Sequence, residues 1–352
     1  MWDRPIYILR SNPSNGDINS MQDLNICILG CGGYAYEVMN ELRNTKGIKF
    51  SFASRDISKA ESFQRKFDGT HAFGTYEEAV ENPEIEAVYI FSPHNLHQNH
   101  AQLAISNSKH VLVEKPIARN LREGKEMIAS ANNANVNLMV AENYRFLPTV
   151  VKAAEIIRSD DESGIGSLRT IKITSENYRE PEGWRRDLET SGGGVFIDAG
   201  IHLVNLMTSL AGFPEKISAA IPIAVFHESE GEDALNLFAT YSKGVSATIF
   251  FSRSTNIQKA VQEIVIDGST GRIQFSPFAN KLTITKGNLK RTVRLKNSTR
   301  GTQEMISSFR NLVLYEEPNK MPGEMGLNDL SIVMSAYESA RDRSQVTPQK
   351  FI

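Results

Sequence analysis

Asn25-Ile26-Cys27-Ile28-Leu29-Gly30-Cys31-Gly32-Gly33-Tyr34-Ala35 is the stretch that decides the fold. Its first five residues carry no charge and end in an apolar run. That is how a parallel-sheet strand covered on both faces reads, without polar alternation. Glycines follow at once, and residues 34–43 then form an amphipathic helical stretch. The loop fits G-x-G-x-x-A, in which Gly30, Gly32 and Gly33 allow the backbone to approach a pyrophosphate at the N-terminus of the helix opened by Tyr34 and Ala35. A glycine triplet alone is an ordinary turn. Its position between strand and helix makes it a dinucleotide-binding signature.

Working outward, residues 50–53, 87–91, 111–113 and 138–141 supply further buried strands, with helical stretches at 97–106 and 121–132 between them. Ser58-Lys59-Ala60-Glu61 and Thr75-Tyr76-Glu77-Glu78 read as capping boxes that start helices. Alternation of strand and helix predicts an α/β, doubly wound Rossmann domain over 24–145. The pattern then changes. Residues 168–177, 217–226, 234–254, 261–275 and 281–295 alternate apolar and polar positions around Ser242-Lys243-Gly244, Gly268-Ser269-Thr270-Gly271 and Lys286-Gly287-Asn288. Hairpins of a large open, mainly antiparallel sheet follow from that pattern. With helical stretches at 195–210, 302–316 and 326–343, residues 146–352 read as an α+β domain. Residues 1–23, polar apart from a short apolar piece at 6–9, read as an extension outside the core.

The chain has 352 residues, 40% of them hydrophobic, enough for two cores and a cleft between them. Its 39 basic and 41 acidic residues give a formal charge of -2, without the basic footprint of nucleic-acid or anionic-membrane binding. A small-molecule partner is expected. No apolar run of about 20 residues is read for a bilayer span, and the first residues lack the apolar core of a secretion signal; a cytoplasmic protein is expected. The two cysteines, Cys27 and Cys31, have no companions at metal-ligand spacing, so they read as reduced thiols and no metal site is expected.

Four further places carry chemistry. At the tip of the second strand, where an acid would hold the ribose hydroxyls, stand Ser54 and Arg55; a hydroxyl and a guanidinium favour a 2′-phosphate, hence NADP over NAD. The alternative leaves Arg55 solvated and gives the ribose to Asp56. Ser92-Pro93-His94-Asn95-Leu96-His97 and Val111-Leu112-Val113-Glu114-Lys115-Pro116 both begin at strand C-termini, where doubly wound folds bind ligands. Lys115 there either steadies an alkoxide and relays a proton or forms a surface pair with Glu114. After Gly192-Gly193-Gly194, Asp198 and His202 stand at i and i+4 on an otherwise apolar helix. One face carries both. Either they satisfy each other in the core, or they work.

These motifs, together with Asn143-Tyr144-Arg145-Phe146, Pro148 and Trp184-Arg185, resemble the glucose-fructose oxidoreductase and inositol dehydrogenase family, known as Gfo/Idh/MocA, from about residue 24 to 348. The resemblance implies a Rossmann domain followed by an α+β domain, a cis peptide at Lys115-Pro116, and Lys115, Asp198 and His202 as the catalytic group, with Asp198 orienting both substrate and His202. It implies that Pro93, Asn95, His97 and Asn143 line the nicotinamide half of the pocket, and that Ser92, Glu114, Lys115, Trp184 and Arg185 also face cofactor. Tyr178 and Trp184, in the loop Asn177-Tyr178-Arg179-Glu180-Pro181-Glu182-Gly183-Trp184, would join Lys115, Asp198 and His202 at a sugar or polyol. A homodimer or homotetramer through the open sheet is also implied. Two other functions fit the same fold: a dinucleotide-binding sensor without turnover, and glycoside hydrolysis through a transiently oxidised sugar. Retention of Lys115, Asp198 and His202 favours a dehydrogenase.

Overall fold

The structure, a computed structural model, describes residues 22–159, 161–296 and 299–351. The expected extension at 1–23 therefore lies, up to residue 21, outside the described residues. Six parallel strands make the first sheet: β1 (Leu24–Leu29), β2 (Ile48–Ala53), β3 (Ala72–Phe73), β4 (Ala87–Ile90), β5 (His110–Glu114) and β6 (Leu138–Ala141), in the order β3-β2-β1-β4-β5-β6. The order reverses beside β1, which pairs with β2 on one side and β4 on the other. That reversal opens a crevice at the strand C-termini. Helices α1 (Gly33–Leu42), α2 (Ile57–Phe67), α3 (Tyr76–Glu81), α4 (His97–Ser106) and α5 (Leu121–Asn133) connect these strands, and α6 (Pro148–Arg158) leads out of the sheet. Thr75 caps α3 by accepting from Glu78 N–H, as expected. In α2 the cap is Asp56, which accepts from Ser58, and not Ser58 itself. A carboxylate two residues earlier outcompetes the hydroxyl for the free N–H groups.

Eight strands make the second sheet: β7 (Leu168–Glu176), β8 (Lys216–Ala220), β9 (Ala234–Thr240), β10 (Ser246–Ser252), β11 (Val261–Gly268), β12 (Arg272–Phe275), β13 (Lys281–Lys286) and β14 (Leu289–Arg294), in the order β14-β13-β12-β11-β7-β10-β9-β8. Every pairing is antiparallel except β7 with β10, which run parallel at its centre. The three expected hairpin turns all join antiparallel neighbours. The strand read at 217–226 stops at Ala220, and the chain from 221 to 226 is irregular. Asp233 holds that segment, accepting from the N–H groups of Val225 and Phe226.

One face of this sheet packs on a π-helical turn Phe196–Gly200 and on α8 (Ile201–Ala211), while a short helix α7 (Leu188–Ser191) ahead of them packs against the 3-10 turns at 94–96 and 183–186. The stretch Leu188–Ala211 is long and apolar enough to cross a bilayer by composition, with a window of mean hydropathy 1.4, contrary to the expectation that no run reaches that length. The fold uses it as core instead: 67% of that window is buried. Close tertiary contact explains the glycines before it. A Cβ on Gly194 would meet the Glu232 carbonyl oxygen at 2.2 Å, and one on Gly193 the Tyr337 hydroxyl at 2.6 Å. The last two helices, α9 (Thr302–Tyr315) and α10 (Gly323–Asp342), return to the first sheet's helices, α9 against α1 and α10 against α5. The cleft between the sheets is thereby braced from behind.

Candidate active site

Gly30 has φ +107 and lies against the carbonyl of Phe91, a backbone shape and a closeness that a side chain would oppose. Gly32 and Gly33 have nothing within 4 Å of where a Cβ would stand, and no side chain caps α1. Free N–H groups therefore face open space at a helix N-terminus, which fits a pyrophosphate. Ala35 packs into the core behind them, and Tyr34 meets Phe91 at 6.0 Å between ring centroids. At the far end of the crevice Ser54 is buried and accepts from Asp56 N–H, while Arg55 is exposed and forms no ion pair among the described residues. Asp56 gives its Oδ1 to the α2 cap, accepting from the N–H and hydroxyl of Ser58.

Past β4, Pro93 begins a single 3-10 turn, His94–Leu96. Ser92 bonds His100 through its hydroxyl at 2.9 Å. Asn95 Oδ1 is buried and has no hydrogen-bond partner among the described residues. His97 does not line a pocket. It is fully buried between the carbonyls of Ser92 (3.0 Å) and Pro116 (2.9 Å) and ties the two ligand loops together. Burial, aided by the charge of His94, pushes its pKa down to about 3, so it is neutral and donates to one carbonyl at a time. Asn143 likewise spends its amide on the Arg300 carbonyl at 2.7 Å, fixing the approach to α9.

The Lys115-Pro116 peptide is cis, as expected. Lys115 Nζ donates to the Asp198 carbonyl oxygen at 2.5 Å and lies 3.5 Å from its carboxylate. Asp198 also takes Arg185 Nε at 3.0 Å and has His94 Nε2 at 3.6 Å. Burial would raise its carboxyl, but Lys115, His94 and Arg185 together hold it well below the ordinary carboxylate range. Trp184 closes this corner, its ring 4.6 Å from His94 and 4.4 Å from the Arg185 guanidinium. Arg185 thus belongs to the Asp198 cluster rather than to the cofactor end. Tyr178 is more than half exposed and packs its ring on Phe226.

His202 has a partner other than Asp198. Its Nδ1 lies 2.7 Å from Oε1 of Glu142, a carboxylate only 1% exposed at the end of β6, and its ring stacks on Tyr144 at 4.1 Å and 9°. The helical spacing predicted an Asp198–His202 pair. The π-helical turn, with Lys115, Arg185 and the His94 ring around Asp198, diverts the aspartate, and the neighbouring sheet supplies the glutamate instead. Burial lowers the His202 pKa, Glu142 opposes that, and Lys115 adds to it. The neutral ring then donates an Nδ1–H hydrogen bond to Glu142 and keeps a lone pair on Nε2, which has no partner among the described residues. Glu114, behind Lys115, takes the Tyr89 hydroxyl at 2.6 Å, and burial raises its pKa to about 7.

His94 and Glu142 are the site residues that sequence reasoning missed. Glu142 carried a usable signal, since it follows an apolar strand just as Glu114 ends another.

An open glycine turn and a partly buried lysine, aspartate and histidine define a class, the two-domain oxidoreductases with an NAD(P)-binding Rossmann fold. The chain belongs to the Gfo/Idh/MocA family: residues 24–142 match the oxidoreductase family, NAD-binding Rossmann fold, and residues 150–274 match the GFO/IDH/MocA C-terminal domain. It is 30% identical over 239 residues to the trans-1,2-dihydrobenzene-1,2-diol dehydrogenase of Mus musculus, covering 67% of this chain and 69% of that protein. Matches to the corresponding Xenopus tropicalis and Bos taurus proteins span 66% and 64% of their lengths. In fold it is similar to aldose-aldose oxidoreductase from Caulobacter crescentus, solved with glycerol (TM-score 0.84, 22% identity, 93% of this chain and 100% of that one). A levoglucosan dehydrogenase solved with NADH and levoglucosan superimposes equally well (TM-score 0.84, 20% identity, 94% and 100%).

Proposed function

We propose that the protein oxidises a secondary alcohol of a sugar or polyol, or reduces the matching carbonyl, with His202 and Lys115 handling the proton. One observation carries this: Lys115, just past β5, meets Asp198 on the π-helical turn that leads into α8, the charges of both reach His202 on α8, and the glycine turn after β1 lies at the same C-terminal edge of the parallel sheet as Lys115. A bound nicotinamide supplies the hydride acceptor or donor. In oxidation the hydroxyl proton passes to His202 Nε2, whose orientation Glu142 and Tyr144 fix. Lys115, held by Asp198, stabilises charge developing on the substrate oxygen. Asp198 serves as counter-ion to Lys115 and Arg185. NADP is the preferred cofactor in this reading, because Arg55 is exposed and unpaired at the end of β2. Phe238 and Phe250, both exposed on the outer face of the second sheet, suit that face to a homodimer or homotetramer.

The test is separation of chemistry from binding. His202→Gln and Lys115→Met should each lower turnover by about 100-fold or more while dinucleotide affinity and Tm hold. A stably folded His202→Gln enzyme with near-normal turnover would remove His202 from the mechanism.

A further inference from the structure

The substrate end of the cleft holds a cation and an acceptor that the proposed reaction leaves unused. Along β10, Ala247, Ile249 and Phe251 are buried, and Phe251 meets Phe196 at 5.8 Å, in the turn that carries Asp198. Arg253, two residues on, continues this face past the end of the strand. Its guanidinium lies 5.7 Å from the Phe251 ring. Burial lowers its pKa, and its charge is felt by both Asp198 and the Tyr144 phenol. It therefore stands on the same side of the sheet as the site.

No carboxylate comes within ion-pair distance of Arg253 among the described residues, and Asp198, Asp233 and Glu180 are engaged elsewhere. Asp198 serves Lys115 and Arg185. Asp233, whose carbonyl takes the Arg253 N–H, gives its carboxylate to Val225, Phe226 and Ser254. Glu180 holds Arg186. Arg179, joined to the Arg253 carbonyl through its N–H at 2.8 Å, adds a like charge. Beside it, Asn177 follows Glu176, the register partner of Ser252, and its Oδ1 is buried with no hydrogen bond.

A partly buried guanidinium without an anion is unfavourable, and so is an acceptor without a donor. Carried by adjacent stretches of backbone, they call for a ligand that bears both an anionic oxygen pair and hydroxyl groups. We infer that the substrate is a polyhydroxylated anion, a sugar acid or sugar phosphate, whose anionic group docks on Arg253 while a hydroxyl donates to Asn177 Oδ1. This rests on the oxidoreductase reading above and adds the class of substrate. Arginine's fork matches either anion bidentately.

The experiment is calorimetric and thermal-shift titration of the NADP-loaded protein with D-glucuronate, D-glucose 6-phosphate and D-glucose. At least one anion should bind about 10–100-fold more tightly than glucose, the range of a charge-assisted bidentate contact, and which one does so tells carboxylate from phosphate. Arg253→Met should abolish the preference, and Arg253→Lys, which keeps the charge and loses the fork, should retain part of it at wild-type Tm. The inference fails if glucose binds as tightly as both anions, or if folded Arg253→Met and Arg253→Lys keep the wild-type preference. A preferred anion that binds but leaves the nicotinamide unreduced would overturn the oxidoreductase reading and leave the docking intact.

Discussion

Glu142→Gln isolates the group that orients the base. In the wild type, Glu142 Oε1 accepts from His202 Nδ1 at 2.7 Å and from Tyr144 N–H at 3.1 Å. The Tyr144 N–H keeps an oxygen at that position, so the glutamine amide oxygen takes the place of Oε1 and the imidazole keeps its tautomer. What disappears is charge. A hydrogen bond to a charged partner is worth about 1.5–3 kcal/mol against about 0.5–1.5 kcal/mol for a neutral one. The difference, about 1–1.5 kcal/mol, corresponds to about one pKa unit. The sign follows from the neighbours: burial already holds His202 below 6.5 and Glu142 is the main opposing influence, so its neutralisation moves the base lower. The acid limb of kcat/KM for alcohol oxidation should therefore shift by about one pH unit toward acid, and the plateau should fall by up to about 10-fold because the base is weaker. Glu142→Ala, which frees the tautomer, should cost about 100-fold or more. Initial rates across pH, with dinucleotide affinity and Tm measured alongside, make the assay. An unmoved limb with an unchanged plateau in folded Glu142→Gln would refute the dyad.

Arg55→Asp should weaken NADP by about 10–100-fold and favour NAD, because a carboxylate repels the 2′-phosphate and accepts from ribose hydroxyls; titration with both dinucleotides checks it, and an unchanged ratio would mean Arg55 points elsewhere. Glu114→Gln tests the buried carboxyl whose pKa rises from 4.5 to about 7. A raised carboxyl binds its proton more tightly folded than unfolded, so stability in the wild type is lost as pH climbs through that window. Relative to wild type, the amide should gain stability between about pH 5 and 8, by up to about 3 kcal/mol, read from urea midpoints at the two pH values. A gain that does not change with pH would count against it. Gly194→Ala places a Cβ 2.2 Å from the Glu232 carbonyl oxygen and should lower stability by about 3 kcal/mol, visible as a lower Tm; no change would mean that the Glu232 loop yields freely.

Whatever depended on neighbours in the chain was legible in the sequence. An uncharged run, three glycines and a helical period are local quantities, and they specified β1, the turn and α1, as alternation specified the hairpins after Tyr241, Gly268 and Lys286. Lys115, Asp198 and His202 were readable as types at strand and helix positions. Their partners were not. Which acid meets His202 depends on the approach of β6 to α8, 60 residues apart in sequence, and the i, i+4 rule that favoured Asp198 takes no account of Lys115, Arg185 and His94 converging on it from other elements. Gly193 and Gly194 look like turn residues in sequence, yet Tyr337 and Glu232 occupy the space their side chains would need. Likewise α9 packs on α1, and α10 spans the two sheets by packing on β8 and α8 as well as on α5. The sequence by itself thus determined the elements and the kinds of chemistry they carry. Only the tertiary structure decided the pairings, because burial, charge and hydrogen bonding act through space, and no periodicity along the chain encodes which distant group arrives.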